Sequence, residues 1–245
     1  MISKPKARFI KSLQVKKYRL AEQCFLVQGA KAVLETLASN YRVTTLIGTE
    51  AFLQTLSTKD HAMEVVEASE DELTRLGSVE VNTAALAVVA MGDQRKAVLE
   101  DGKFTLVLDE IRDPGNLGAI IRTADWYGVH TIVASMGTTD MYSPKVINAT
   151  MGSFLRVRVH YEPLEEWLRP ISLPVYGAFL DGKNIHEMNF GDGGLVVIGN
   201  ESRGISPAVE QFVKHRVTIP RFGGAESLNA SVAAAVILDN IRRKS

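Results

Sequence analysis

Three stretches in the second half of this chain pair ligand-handling side chains with turn-forming residues. The first runs Asp109-Glu-Ile-Arg112-Asp-Pro-Gly-Asn116-Leu-Gly-Ala-Ile-Ile-Arg122. Asp113-Pro114-Gly115-Asn116 is turn chemistry, and Asn116 suits the N-cap of a following helix. Arg122 lies in a run of Leu, Ala and Ile. A cation there calls for a fixed anionic partner, for which a phosphate is a good candidate. The second stretch, Val196-Val-Ile-Gly199-Asn-Glu201-Ser-Arg-Gly204-Ile-Ser206-Pro207, takes a hydrophobic strand straight into Gly-Asn-Glu. Gly199 permits close backbone approach to a ligand. Glu201 puts a carboxylate at the strand end, and Ser206-Pro207 starts a helix with Ser as cap. The third, Ile219-Pro-Arg-Phe-Gly223-Gly-Ala-Glu-Ser227-Leu228-Asn229, opens a long Ala- and Val-rich helix. Its amides suit polar ligand atoms, and Ser227 reads as a capping serine. Each stretch alone also reads as plain local structure: a cap, a strand-to-helix turn, a glycine-rich loop.

These loops need a scaffold that brings them together. From Phe104 onward the pattern alternates between strand and helix. Strands are expected at 104–108, 131–134, 174–179, 195–198 and 216–219. Helices are expected at 117–127, 144–151, 163–168, 207–212 and 228–243. Buried β-branched strands separated by helices predict a mostly parallel sheet covered on both faces, an α/β fold. Ligands in such sheets sit beyond the carboxyl ends of the strands, where all three stretches lie. Upstream, strands at 25–27, 44–48, 65–67 and 86–91 alternate with helices at 31–39, 50–56 and 71–76. That predicts a smaller α/β domain over residues 1–92, a polar linker at 93–103, and a larger domain over 104–245.

Composition sets outer limits. The 245 residues are 46% hydrophobic and 23% charged, ample for a core. No apolar run approaches a membrane span and no signal-peptide core follows the basic start, so a cytoplasmic location is expected. The single cysteine, Cys24, excludes an intramolecular disulfide and a cysteine-rich zinc site. No metal is expected. The zero net charge hides segregation: residues 1–21 carry seven Lys or Arg and no acid, whereas residues 60–101 carry ten acids against three cations. A cationic arm either is a solvated tail or contacts nucleic-acid phosphates, releasing condensed counterions. Neither Gly-x-Gly-x-x-Gly nor a Walker loop occurs, which argues against a dinucleotide-dependent dehydrogenase.

Asn116 with Arg122, Glu201 with Gly204, and Ser227-Leu228-Asn229 resemble, in order and spacing, the three motifs of the SpoU (TrmH) family of RNA 2′-O-ribose methyltransferases in the SPOUT superfamily. Ser143-Pro-Lys-Val-Ile-Asn-Ala-Thr-Met-Gly-Ser-Phe154 is similar to a further family segment. The resemblance covers residues 104–243 closely; residues 1–92 more loosely resemble the L30e-like substrate-binding domain that many members carry. It implies a deep trefoil knot in the larger domain, which no general rule of folding would propose. It also implies S-adenosylmethionine as cofactor, contacted at positions matching Ala178, Leu180, Gly199, Glu201, Ile219, Leu228 and Asn229. Ile219 and Leu228 could flank the adenine.

The implied reaction is methyl transfer to a ribose 2′-oxygen of rRNA or tRNA by a homodimer. Asn116, Arg122, Glu201, Ser227 and Asn229 would form the catalytic group. A guanidinium is very hard to deprotonate, so Arg122 is read as a phosphate clamp, with Ser227, Glu201 or solvent taking the proton. Lys11, Lys16, Lys17 and Arg19 are expected to contact RNA phosphates. The alternative is a non-catalytic RNA-binding protein that keeps the fold.

Overall fold

The structure, a computed structural model, describes residues 2–56, 63–78, 81–92 and 97–243. It divides into two compact units: Met1–Asp93 with Asp140–Leu155, and Gln94–Thr139 with Arg156–Ser245. No helix among the described residues is long and apolar enough to cross a membrane.

The basic start of the chain is folded rather than a tail. It forms α1 (Lys4–Ser12) and α2 (Lys16–Glu22). Ile10 and Leu13 are fully buried, and Ile2, Ala7 and Phe9 pack against the same core. Burial of one such aliphatic side chain contributes about 1.5–3 kcal/mol, enough to fix α1 in place. In α2 the only buried residue is Arg19, which ion-pairs with Asp140. Four strands follow, β1 (Cys24–Gln28), β2 (Val43–Gly48), β3 (Glu64–Glu67) and β4 (Ala85–Ala90), in the order β1-β4-β2-β3. Only β2 and β3 run parallel. Helices α3 (Ala30–Leu37), α4 (Glu50–Gln54) and α5 (Glu70–Leu76) connect them. Ser69 and Glu72 close a reciprocal capping box at the start of α5, as Ser-x-x-Glu dictates.

The second unit is a six-stranded, all-parallel sheet of β5 (Phe104–Leu108), β6 (Thr131–Ser135), β7 (Arg158–Glu162), β8 (Val175–Asn184), β9 (Gly194–Ile198) and β10 (His215–Thr218), ordered β10-β8-β9-β5-β6-β7. Its helices are α6 (Pro114–Trp126), α8 (Leu164–Leu168), α9 (Pro207–Glu210) and α10 (Ala230–Arg242), while α7 (Pro144–Thr150) falls in the first unit. The expected α/β class and parallel sheet are present. β5 and β9 are buried at every residue, as a parallel sheet covered on both faces requires. β7 was not anticipated. Its Arg-Val-His-Tyr-Glu carries one fully buried residue, so no hydrophobic run announces it. Its place at the sheet edge tolerates that polarity.

Two segments differ from the expected domain plan. Of the stretch read as a linker, residues 93–96 lie outside the described residues. The remainder is not free chain, because Ala97 and Leu99 pack against the core of the second unit. Asp140–Leu155 lies in sequence between β6 and β7 yet belongs to the first unit. Aromatic packing explains why. Tyr142 and Phe154 sit 4.7 and 5.8 Å, centroid to centroid, from Phe25 on β1, and Tyr41 packs on Phe154 at 5.9 Å. The Tyr142 hydroxyl accepts from Gly92 N at 3.1 Å, and burial pushes its pKa above the ordinary phenol value.

Candidate active site

β8, β9 and β5 are successive neighbours in the sheet, and β10 flanks β8, so the loops leaving their carboxyl ends emerge side by side. α6 follows β5. Its N-cap is Asp113, whose Oδ1 accepts from Asn116 N at 2.9 Å, with Pro114 in the first turn. Asn116 is therefore not the cap the sequence suggested. Because Asp113 satisfies the orphan amide, the Asn116 side chain is released for other partners.

Those partners come from the other two motifs. Asn116 Nδ2 donates to Glu201 Oε1, and Asn229 Nδ2 donates to Asn116 Oδ1 at 2.9 Å. Asn229, rather than Ser227, is the N-cap of α10, and its Oδ1 accepts from Ser231 N at 2.9 Å and Ser231 Oγ at 2.6 Å. The direction of this chain follows from chemistry. An ionised carboxylate can only accept, so Asn116 must turn its NH2 to Glu201 and its oxygen to Asn229. Every donor then points toward the one anion, a polarised chain whose members strengthen each other. Residues 85 and 113 positions from Asn116 in sequence thus converge on it.

The second motif is a tight loop closed on itself. Asn200 and Gly204 form a bridge, with Asn200 N donating to Gly204 O at 3.0 Å and Gly204 N to Asn200 O at 2.8 Å. Gly204 has φ +70°, where glycine is at no disadvantage. A Cβ on Gly199 would lie 2.2 Å from Gly204 C. Its missing side chain therefore makes room for its own loop. Asn200 secures the loop through Nδ2 to Glu110 O at 2.9 Å, and its Oδ1 accepts from Ser202 N and Arg203 N. Ser206 is the N-cap of α9 by position, but its side chain caps nothing. Its amide instead donates to the buried Asp109 at 2.8 Å. The sequence reading passed over Asn200 and Asp109. Asn200 adjoins Glu201 and Asp109 opens the first stretch, but an Asn or Asp in a loop does not disclose a partner 90 or 97 residues away.

Arg122 is exposed on α6 and takes no ion-pair partner among the described residues. The apolar run around it belongs to the buried side, Leu117, Gly118, Ile120, Ile121 and Ala124, while Arg122 faces out. Ser227 is exposed too, and makes no hydrogen bond among the described residues. All of residues 221–229 are exposed, Phe222 at 96%. Among the expected cofactor contacts, Leu180 and Leu228 are exposed, at 78% and 45%, and Ala178 and Ile219 are half-buried. Ala178 and Leu180 lie within β8 where its pairing with β10 shifts register, Ile219 directly follows β10, and Leu228 precedes α10. Apolar side chains left bare on the irregular stretch of β8 and beside the end of β10 fit the flat face of a nucleobase.

The predicted RNA contacts divide. Lys11, Lys16 and Lys17 are exposed. Arg19 is 2% exposed, donates to Asp140 Oδ2 at 2.6 and 3.2 Å and to Leu13 O at 2.9 Å, and is thereby occupied within the fold. A buried guanidinium without an acid would be costly, and Asp140 offsets that cost. Sequence places Arg19 among six other cations and gives no sign of the difference.

Comparison with known proteins agrees with this geometry. Residues 103–239 match the SpoU rRNA Methylase family, and residues 4–87 match the MRM3-like substrate binding domain. The 23S rRNA (guanosine(2553)-2′-O)-methyltransferase RlmP of Bacillus subtilis is 29% identical over 236 residues, covering 95% of this chain and 94% of that protein. The structure of a protein assigned to the TrmH family of RNA methyltransferases from Porphyromonas gingivalis superposes with a TM-score of 0.92, at 40% identity over 100% of both chains. The AdoMet-bound rRNA methyltransferase of Sinorhizobium meliloti superposes with a TM-score of 0.89, at 26% identity, over 99% of this chain and 96% of that one. With its three motifs joined through Asn116 and its sheet shared with these enzymes, this chain belongs to the SpoU rRNA methylase family.

Proposed function

We propose that this protein transfers a methyl group from S-adenosylmethionine to a ribose 2′-hydroxyl of RNA, with ribosomal RNA as the substrate class. The observation that carries the reading is the hydrogen-bond chain Asn229–Asn116–Glu201, which ties one residue from each motif into a single array. S-adenosylmethionine supplies an electrophilic methyl, so the protein's task is to place the acceptor oxygen and neutralise the adjoining charge. Ala178, Leu180, Gly199, Glu201, Ile219, Leu228 and Asn229 are the positions that would hold the cofactor. Arg122, exposed and uncommitted among the described residues, is suited to clamp the phosphate beside the target ribose through its planar fork. Glu201, held by Asn116, fixes the second motif against the first.

RNA is held in addition by the first unit. Lys4, Arg8 and Lys11 are exposed at i, i+4 and i+7 on α1, and Lys16 and Lys17 follow on α2. That is a cationic track for a phosphate backbone. The knot expected from the resemblance belongs to this reading, as does a cytoplasmic place of action. So does a homodimer. Trp126 on α6 is 84% exposed and Val232 on α10 is 46% exposed, on two helices that pack against each other. A second copy covering them would border Arg122, one helical turn from Trp126. Light scattering is expected to give a dimer at micromolar concentration; a stable monomer removes that part. The activity itself is tested by transfer of a tritiated methyl from S-adenosylmethionine to rRNA, followed by mapping of 2′-O-methyl positions in cells with and without the gene. No transfer, and identical maps, overturn the proposal.

A further inference from the structure

We propose that Arg216 is a positioning residue for the cofactor, holding the segment Ala178–Asp181 in its binding shape; this rests on the placement of Ala178 and Leu180 at the cofactor. β8 and β10 pair regularly at His215–Tyr176 and Arg216–Gly177, and then the register jumps to Val217–Lys183 and Thr218–Asn184. Residues 178–182 are thrown out of the ladder as a bulge. Both ends of it need glycine. A Cβ on Gly177 would meet the Phe179 ring at 2.7 Å and Val213 at 2.9 Å, and one on Gly182 would meet Arg216 backbone at 2.8 Å.

One guanidinium spans the inside of the bulge. Arg216 Cζ lies 3.6 Å above the Phe179 ring centroid. Its Nη2 donates to Asp181 Oδ1 at 2.6 Å, its Nε to Asp181 O at 3.3 Å, and its Nη1 to Glu210. Thr218 Oγ1 donates to Leu180 O at 3.2 Å from the same strand. Three successive residues of the bulge are thus each held from β10. Exposed ion pairs of this kind add little to global stability, so the arrangement is poorly explained as a stability device. What it does is remove freedom from a loop that would otherwise have to order when the ligand binds. The task is specific to arginine, since a lysine ammonium cannot stack its plane on Phe179 and bond Asp181 at two atoms together.

The test uses the full-length protein and titration calorimetry with S-adenosylmethionine and S-adenosylhomocysteine. Arg216→Lys and Phe179→Leu are each expected to raise the cofactor Kd roughly tenfold. kcat at saturating cofactor and the Kd for RNA should stay within about twofold, and the melting midpoint should be unchanged, a split that a merely structural role would not give. The double variant should be little worse than either single one, because both disrupt one stack. Leu180→Asp separates the two readings. If it weakens cofactor binding while both Arg216→Lys and Phe179→Leu bind normally, the role of Arg216 is refuted and the cofactor placement stands. If Leu180→Asp also binds normally, the placement and the proposal fall together.

Discussion

Asn116 sits where two explanations of one residue diverge, and a pair of alanine variants separates them. If Asn116 were the helix cap, Asn116→Ala would cost about 1 kcal/mol of stability, within the 0.5–2 kcal/mol range for lost caps. For a chain of this length that is a fall of about 2–4 °C in the melting midpoint. In the structure the cap is Asp113, so that loss belongs to Asp113→Ala. Asn116→Ala removes instead one bond to a carboxylate and one between amides. Such bonds contribute about 1.5–3 and 0.5–1.5 kcal/mol respectively. The site is partly solvated, so water re-satisfies Glu201 and Asn229 in the variant and stability changes by less than about 0.5 kcal/mol. The organisation of the three loops is what is lost. If the array acts in the transition state, about 2–4 kcal/mol of positioning disappears, a fall in kcat/KM of roughly 30- to 1,000-fold. The assays are thermal unfolding and tritiated methyl transfer to rRNA on both variants. The reasoning fails if Asn116→Ala melts as low as Asp113→Ala while keeping kcat/KM within about threefold of the parent.

Three further outcomes follow from the same geometry. Arg122→Ala should abolish methyl transfer with S-adenosylmethionine affinity nearly intact; near-normal turnover would remove Arg122 from the mechanism. Replacing Lys11, Lys16 and Lys17 together by Ala should weaken RNA binding and lower the log–log salt slope by about 2, at about 0.7 per phosphate contact on single strands. Deleting residues 1–19 would be a poor substitute, because Ile10 and Leu13 belong to the core, and an unchanged salt slope in the triple variant would exclude these lysines. Asp140→Ala should strand the buried Arg19 and cost about 3–5 kcal/mol in urea unfolding, whereas Arg19→Met with Asp140→Leu should cost far less. A cost below about 1 kcal/mol for Asp140→Ala would show that the pair is solvated.

Most elements were legible because burial leaves a periodic trace. β1, β2, β4, β5, β6 and β9 are apolar runs, and their expected bounds fall within one residue of those observed. β7 escaped because an edge strand can be polar, and β8 runs on to Asn184 because its bulge and second pairing depend on β10. The starts of α3 to α10 were legible to within a turn, but not which polar residue caps them; α1 and α2 escaped because the cations of residues 1–21 outweigh the few apolar residues those helices bury. Asp113 displaced Asn116, and Asn229 displaced Ser227. Several neighbouring residues could supply an oxygen, and the backbone geometry selects one.

The sequence by itself determined the reaction class, because three motifs in order specify a family even where each alone is an ordinary turn or loop. It also determined the alternation that makes the sheet parallel and sets the motif loops at its carboxyl ends. Only the tertiary structure decided which side chains meet. Asn116 receives Glu201 and Asn229 from far along the chain, Arg19 is buried against Asp140 while its neighbouring lysines stay in water, and Tyr142 and Phe154 carry Asp140–Leu155 into the first unit. The physical reason is the same in each case. Periodicity records whether a position faces the core or solvent, whereas a hydrogen bond or a buried ion pair depends on a partner whose distance along the chain leaves no mark in the local pattern.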